Sequence, residues 1–372
     1  MKEKVVQLIS FSSIYNDNLQ NELRNNKEFC ELFDQEVINL EIEKREFEKV
    51  NGYKEYAKNG KLKKIFYWLQ FNKYLGTKYA FLKGSIVDIQ FVSTQYFYLL
   101  PFLESTFRKI IISFWGSDLL RLEEKQFFKL KQIVRAANYI SFETSEFTRI
   151  FKKKIGSGYD AKIRTARFGI SLLNDIDAIS EKDLSNFASK HGIDRNRKIV
   201  AIGYNRGKAH QHLEVVESII REGVDPNQLQ LVFPWTYGPE DKEYQSEIQK
   251  LLDGKYDYSF IDNSLTNLEV AALREITNYM IQVQTTDVMS SSMLETLYAK
   301  NTVITGTWLP YDDIYNAGVV MNTVSSVSEV GKMLTKVLNE PMKEDILDRN
   351  KLIIGDLYTW DSCISTWVEL YK

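Results

Sequence analysis

The sequence is short of the residues on which several common chemistries depend. Its 372 residues include two cysteines, Cys30 and Cys363, and three histidines, His191, His210 and His212. Two distant cysteines give neither a zinc-ligand spacing nor a disulfide framework, which points to a reducing, cytoplasmic setting. All three histidines fall in the second half, so no catalytic histidine can come from the first. Long hydrophobic runs are missing as well. Nothing approaches the roughly 20 apolar residues of a membrane-spanning helix, and the run at 96–103 is short and interrupted by Pro101. The opening Met1-Lys2-Glu3-Lys4, with an apolar run broken at Gln7, fits a first strand better than a secretory leader. Charge of one sign is also lacking: 48 Lys and Arg stand against 50 Asp and Glu, a formal net charge of −2. That excludes a dedicated nucleic-acid binder as a whole molecule and leaves room only for local patches. No short-period repeat and no low-complexity tract occurs.

What is present is an ordinary globular composition, 44% apolar and 26% charged, in a chain long enough for two domains of about 150–200 residues. Strand patterns at 4–11, 37–40, 86–91, 110–115, 139–142 and 162–168 alternate with helical stretches, including a polar helix at 17–33. Residues 171–196 are polar and read as a linker with a short helix. The alternation restarts with a buried strand at 198–202, then helix 212–222, strand 229–234, helix 240–252, strand 258–261, helix 267–275 and strand 279–283. A serine-rich turn, a helix, a strand at 302–305 and closing segments at 327–339, 344–350 and 359–371 follow. Alternation of this kind predicts an α/β protein with two Rossmann-like doubly wound domains facing a cleft, ligands lying at the carboxyl ends of the strands.

The loops after strands are therefore where chemistry is expected. Gly203-Tyr204-Asn205-Arg206-Gly207-Lys208 follows a buried strand, and Arg206 and Lys208 bring phosphate-pairing charge to its end; an exposed hydrophilic loop is the alternative. His210 and His212 are too few for a metal site and read as polar residues at a helix start. Asp287 and Glu295 sit eight positions apart around Ser290, Ser291 and Ser292. The serines suit a helix N-terminus, whose free N–H groups attract phosphate, and the two acids suit sugar hydroxyls; a plainly capped helix is the alternative. No Asp-x-Asp arrangement in a loop suggests a metal, since Asp175-Ile176-Asp177 lies in the polar linker.

The segment from Asp287 to Glu295 resembles the E-x7-E motif of glycosyltransferases with the GT-B fold, above all the retaining family 4. Glu295-Thr296-Leu297-Tyr298-Ala299 matches that family's second acid and its Glu-Ala-Met/Leu run. Phe114-Trp115-Gly116-Ser117-Asp118 resembles the His-Gly-Ser-Asp turn of its acceptor domain, and Phe168-Gly169-Ile170 the Asn-Gly-Val/Ile at that domain's end. Gly203–Lys208 resembles the diphosphate-gripping loop, and Pro234-Trp235-Thr236-Tyr237-Gly238 a turn of bacterial transferases acting on lipid-linked intermediates. Asp287 stands for the usual Glu, Met289-Ser290 for Phe-Gly, and Trp115 for a frequent His.

The resemblance implies an acceptor-binding domain at 1–170, completed by a C-terminal helix at 356–372 packed back onto it, and a donor-binding domain at 171–355. It implies a metal-independent hexosyltransferase that works with retention. The donor would be a nucleotide-diphosphate sugar, a UDP-sugar foremost, with no further cofactor. The acceptor would be a glycan, a glycoconjugate or a lipid-linked intermediate of bacterial surface polysaccharide synthesis. Asp287 would contact the donor sugar, Glu295 the ribose, and Arg206 and Lys208 the leaving diphosphate, with Asp118 placing the acceptor. Gly203, Tyr204, Asn205, Tyr237, Ser290, Ser291, Ser292 and Gly116 would line the site. A non-catalytic partner of the same fold and a sugar-nucleotide epimerase are the alternatives, the latter disfavoured by the few histidines. Finally, residues 53–83 carry eight lysines against Glu55 alone, interleaved with aromatics. Such a segment suits the anionic inner face of a cell membrane; a core-packed helix with solvated lysines is the alternative.

Overall fold

The computed structural model describes residues 2–51 and 60–372. The chain divides into two compact units, Met1–Gly169 with Cys363–Lys372, and Ile170–Ser362.

The first unit is built on a parallel sheet in the order β2-β1-β3-β4-β5-β6. Its strands are β1 (Glu3–Ile9), β2 (Phe33–Asn39), β3 (Ser85–Gln90), β4 (Phe107–Ser113), β5 (Tyr139–Phe142) and β6 (Ile163–Thr165). Runs such as Ile110-Ile111-Ile112 are apolar on both sides because helices cover both faces. The chain's last residues complete this core. Trp367 is fully buried and its indole N–H donates to the Arg167 carbonyl at 2.7 Å. The Tyr371 hydroxyl donates to Asp88 at 2.8 Å. Asp88, fully buried in β3, also accepts from Ser113 and Gln90, and burial pushes its carboxyl up to about 6.

The second unit repeats the scheme in the order β12-β11-β10-β7-β8-β9, with β7 (Lys198–Ile202), β8 (Leu229–Pro234), β9 (Tyr258–Ile261), β10 (Tyr279–Gln282), β11 (Thr302–Gly306) and β12 (Asn322–Val324). All pairings are parallel. The order reverses direction between β7 and β10, the place where doubly wound sheets open a crevice at their carboxyl ends.

The stretch expected as a linker is instead two helices, Leu172–Ala178 and Glu181–His191, the second held by a Ser180/Asp183 capping box and ended by left-handed Gly192. Leu172, Leu173 and Ile176 pack into one core cluster and Phe187 and Ala188 into another. Frequent acidic residues hide this apolar stripe. The single helix expected at 17–33 is two, Ile14–Asn25 and Lys27–Leu32, broken at Asn26, whose side chain caps the second. The closing segment expected at 344–350 continues as a helix to Tyr358.

Candidate functional site

The loops after β7 and β10 meet where the second sheet reverses. β7 ends at Gly203, which has φ +64°. A Cβ there would lie 2.9 Å from His212 Nε2 and 3.0 Å from the His210 ring, so only glycine fits. Both histidines are buried, and burial pushes them down to about 4 (His210) and about 3 (His212), so they are neutral. His210 packs edge-on to Tyr204 and His212 lies against Trp235. They stand at the start of the helix His212–Glu222, as expected, and their buried rings also prop the loop. Two hydrogen bonds clip the loops together: Thr285 N–H donates to the Ala209 carbonyl at 2.8 Å, and the Gln211 side-chain amide to the Val283 carbonyl at 2.5 Å. The Tyr204 hydroxyl reaches Gln284 at 3.4 Å.

The cation this loop presents is Arg206. Its backbone N–H donates to the Tyr237 carbonyl at 3.0 Å, tying it to the loop after β8. Gly238, at φ +107°, leaves room for the Arg206 side chain, whose Cγ would lie 3.2 Å from an added Cβ. Asn205 stiffens the turn by accepting from Gly207 N–H at 2.8 Å. Among the described residues no carboxylate pairs with Arg206, and its buried Nε has no partner. Lys208 differs: its ammonium lies 2.8 Å from Asp241 and over the Tyr244 ring. Tyr237 is about half exposed beside this loop.

After β10 the serines fall at the start of the helix Ser291–Tyr298. Ser290 is the N-cap and accepts from Met293 N–H at 3.3 Å; Ser291 and Ser292 form the half-buried first turn. Asp287, in the turn before it, accepts from the Tyr311 hydroxyl at 2.6 Å and from Val288 N–H at 2.9 Å. Burial raises the Asp287 carboxyl, and the Tyr311 bond opposes that rise. Tyr311 is fully buried and takes a further contact from Gln282 at 3.4 Å. Trp308 donates to the Gln284 carbonyl at 2.9 Å, and its ring covers Gly306, where a Cβ would come within 2.4 Å. This polar floor of Gln282, Gln284 and Tyr311 was not singled out in the sequence. Its only local signal is two glutamines at the end of an otherwise apolar strand.

Glu295 is held elsewhere. It is 8% exposed and pairs at 2.9 Å with Nε of Arg274, itself 5% exposed on the helix Asn267–Ile276. The structure thus gives the two acids different partners, a phenol and a guanidinium. In the first unit, Asp118 is buried and its carboxylate accepts from the N–H groups of Val92, Trp115 and Gly116 at 2.9–3.2 Å. Burial still pushes it up to about 6. Gly116, at φ +126°, makes the turn this clamp needs. Among the described residues no group of three or more His, Cys, Asp or Glu side chains is clustered as metal ligands would be.

No family model matches the sequence, and no curated protein aligns with it significantly. Solved structures do match over nearly the whole chain. A glycosyltransferase from Rickettsia africae superposes with TM-score 0.72 at 11% identity, covering 100% of this chain and 98% of that one. HepE of Anabaena in complex with UDP gives 0.71 at 11% identity, with 99% of each chain covered. A trehalose-phosphate synthase from Burkholderia xenovorans in complex with glucose-6-phosphate gives 0.65 at 10% identity, with 100% of each chain covered. At such identities the likeness is one of fold: two parallel six-stranded sheets with flanking helices, the two-domain α/β architecture of GT-B glycosyltransferases.

Proposed function

We propose that this protein is a glycosyltransferase that takes a sugar from a nucleotide-diphosphate donor bound by the second unit, at the carboxyl ends of β7 and β10. The observation that carries the reading is Arg206. It is a partly buried guanidinium with no acidic partner among the described residues, in a loop clipped at Val283 and Thr285 to the segment that leads into the serine-capped helix Ser291–Tyr298. A guanidinium and a helix N-terminus in loops at the same end of one sheet are suited to a diphosphate. They would stabilise the charge that develops on it as the sugar leaves, without a metal or other cofactor. Asp287, backed by Tyr311, would receive hydroxyls of the donor sugar. The UDP held by HepE supports a UDP-sugar as the first donor to try. Retention, a hexosyl donor, an acceptor bound by the first unit, and a place in bacterial surface polysaccharide synthesis on the cytoplasmic face are parts of the same proposal. The resemblance of the Asp287–Glu295 segment to the retaining family supports them.

A thermal-shift panel of UDP, other nucleoside diphosphates and their sugars tests this. At a hundredfold excess over Kd a ligand stabilises by about 2.7 kcal/mol, which for a unit of this size is a shift of roughly 5–11 °C. Arg206→Gln should abolish the shift without lowering the unliganded Tm, because the guanidinium it removes has no acidic partner among the described residues. A panel with no stabilising nucleotide, or an equal shift in Arg206→Gln, would overturn the reading. The pairing of Glu295 with Arg274 favours one second reading, a partner protein that keeps the fold without turnover. A UDP-induced shift with no transfer or hydrolysis of any donor sugar would support it.

A further inference from the structure

Three neighbouring strands of the first unit end in the same pattern. β1, β3 and β4 lie side by side in the sheet. Just past their carboxyl ends stand Phe11-Ser12-Ser13, Phe91-Val92-Ser93 and Trp115-Gly116-Ser117, each with an aromatic ring within two positions of a serine. The rings meet around Trp115. Its ring centre lies 6.2 Å from Phe11, 5.9 Å from Phe91, 5.7 Å from Tyr15 and 5.3 Å from Phe168, with interplanar angles of 68–87°. Edge-on contacts of this kind are a favoured aromatic geometry. None of the five is fully buried: four are half-buried and Tyr15 is exposed. The other aromatic-rich stretch of this unit, at 53–83, is committed differently. Its residues Tyr53, Lys54, Glu55, Tyr56 and Lys58 lie outside the described residues. In the helix Lys61–Lys78, Tyr67, Phe71 and Leu75 are buried, Lys64 lies over the Tyr98 ring and Lys78 pairs with Glu43 and Glu46.

Two features of the Trp115 cluster exceed what packing requires. Phe91 takes φ +62°, a region that bulky residues rarely enter. It is held there by its own N–H on the Ser113 carbonyl at 3.1 Å and by the next N–H, of Val92, on Asp118 at 2.9 Å. Backbone strain of this kind gathers at ligand sites. The second feature is a chain of buried polar groups that ends on Trp115. The indole N–H donates to Gln90 at 2.9 Å, and the Gln90 amide donates to Asp88 at 2.7 Å. Asp88 is fixed in turn by the Ser113 and Tyr371 hydroxyls, both at 2.8 Å. Gln90 and Asp88 are 1% and 0% exposed, beside the apolar Ile86, Val87 and Ile89. Burying an amide and a carboxyl costs desolvation, and what these bonds fix is the orientation of a half-exposed ring.

We infer, on the reading of the first unit as the acceptor side, that Trp115 and Tyr15 form the surface on which a pyranose ring of the acceptor stacks, and that Gln90 and Asp88 are positioning residues for Trp115. The serines select this occupant. A pyranose has an apolar C–H face and a rim of hydroxyls, and an aromatic floor edged by a few polar groups matches both. Ser12, Ser13 and Ser93 accept from the Asn39 side chain and from the N–H groups of Asn16 and Gln95 at 3.3–3.4 Å, so each keeps its own hydroxyl proton to give. A quaternary ammonium also suits aromatic faces, but it has no use for hydroxyl groups.

The test is saturation-transfer NMR of the full chain, with and without UDP. The probes are methyl α-glucopyranoside, methyl β-glucopyranoside, methyl β-galactopyranoside and tetramethylammonium. At least one glycoside should receive saturation, strongest at the C–H protons of one ring face. Trp115→Leu should weaken that binding about tenfold, the worth of a good aromatic contact. Tyr15→Ser, at an exposed position where folding is not at stake, should weaken it about threefold. Gln90→Met should erase the contrast between the two ring faces, which a merely structural role would not move. Phe128→Ser, on an exposed aromatic of the same unit outside the cluster, should change nothing. Absence of saturation in every glycoside, binding unaltered in both Trp115→Leu and Tyr15→Ser, or saturation of tetramethylammonium instead of the sugars overturns the inference. The UDP-induced Tm shift, read on the same proteins, judges the donor reading separately. A shift without glycoside binding refutes the stacking surface alone, and glycoside binding without a shift refutes the donor site alone.

Discussion

Glu295 offers the sharpest separation between folding and ligand binding. Its carboxylate and the Arg274 guanidinium meet at 2.9 Å between two helices, with the residues 8% and 5% exposed. Glu295→Ala would leave a buried guanidinium without its anion. Breaking a buried pair from one side costs about 3–5 kcal/mol, because the surviving charge stays desolvated. Replacing both partners by apolar residues of similar volume is often close to neutral. Arg274→Met/Glu295→Leu should therefore recover most of what Glu295→Ala loses. For a unit of this size, 3–5 kcal/mol is a drop in Tm of roughly 6–20 °C. Glu295→Gln, which keeps a hydrogen-bond acceptor but not the charge, should fall between the two. The assay is chemical denaturation of all four proteins followed by Trp fluorescence, with and without UDP. If Glu295→Ala costs less than about 1 kcal/mol, the range of an exposed pair, then Glu295 is free to face a ligand and the reasoning fails. If the double variant is folded and UDP still stabilises it fully, Glu295 has no part in holding a ribose.

Other outcomes follow from single contacts. Tyr311→Phe removes the 2.6 Å bond that opposes the burial-driven rise of Asp287, so the carboxyl should rise further. If Asp287 acts ionised, the acid limb of the pH–activity profile moves to higher pH in this variant, and an unmoved limb would exclude that role. Asp88 and Asp118 are both pushed up to about 6 by burial. The folded first unit therefore binds more protons than the unfolded chain between about pH 4 and 6, and these groups make its stability decline as pH rises through that window. Hydrogen exchange in β3 and β4 should show the decline, and Asp88→Asn should flatten it. Gly331→Ala should destabilise the second unit by about 2–4 kcal/mol, since its Cβ would lie 2.2 Å from the Ser218 carbonyl oxygen. A loss below about 0.5 kcal/mol in denaturant melts would refute that.

The alternation of strands and helices was legible because parallel strands covered on both faces are continuous apolar runs such as Ile110-Ile111-Ile112, bounded by glycine and polar loops. The order of the strands was not legible, since pairing β7 with β10 across 76 intervening residues is a long-range event that no local pattern encodes. The helices Leu172–Ala178 and Glu181–His191 were read as linker because their solvent faces carry most of the charge, while their buried faces are only a few residues wide. At the site, Arg206, Asp287 and the serines could be singled out by their place after strands. Their partners could not: Tyr311, Arg274 and Asp241 lie 21 to 33 residues from the groups they engage.

Those partners change what the motif means. A sequence motif counts charged groups, whereas a ligand meets only the bonding capacity that the fold has left unused. Lys208 is matched to Asp241, Asp118 to three backbone N–H groups and Glu295 to Arg274. Arg206 has no acid among the described residues, whereas Asp287 is engaged by the Tyr311 hydroxyl and the Val288 N–H and by the side chains of Gln282 and Gln284. A guanidinium left without an anion in a partly buried loop is costly unless something else supplies the charge. A diphosphate does so with two or more oxygens in bidentate reach. The unequal commitment of these five side chains therefore ranks them. Arg206 is expected to dominate binding of the diphosphate, while Lys208 must first exchange Asp241 for a phosphate and so should contribute less. Arg206→Gln and Lys208→Gln, compared in the same UDP titration, should differ by at least tenfold in apparent Kd. Equal losses would mean that Lys208 leaves Asp241 freely and that static pairing is a poor guide to this site.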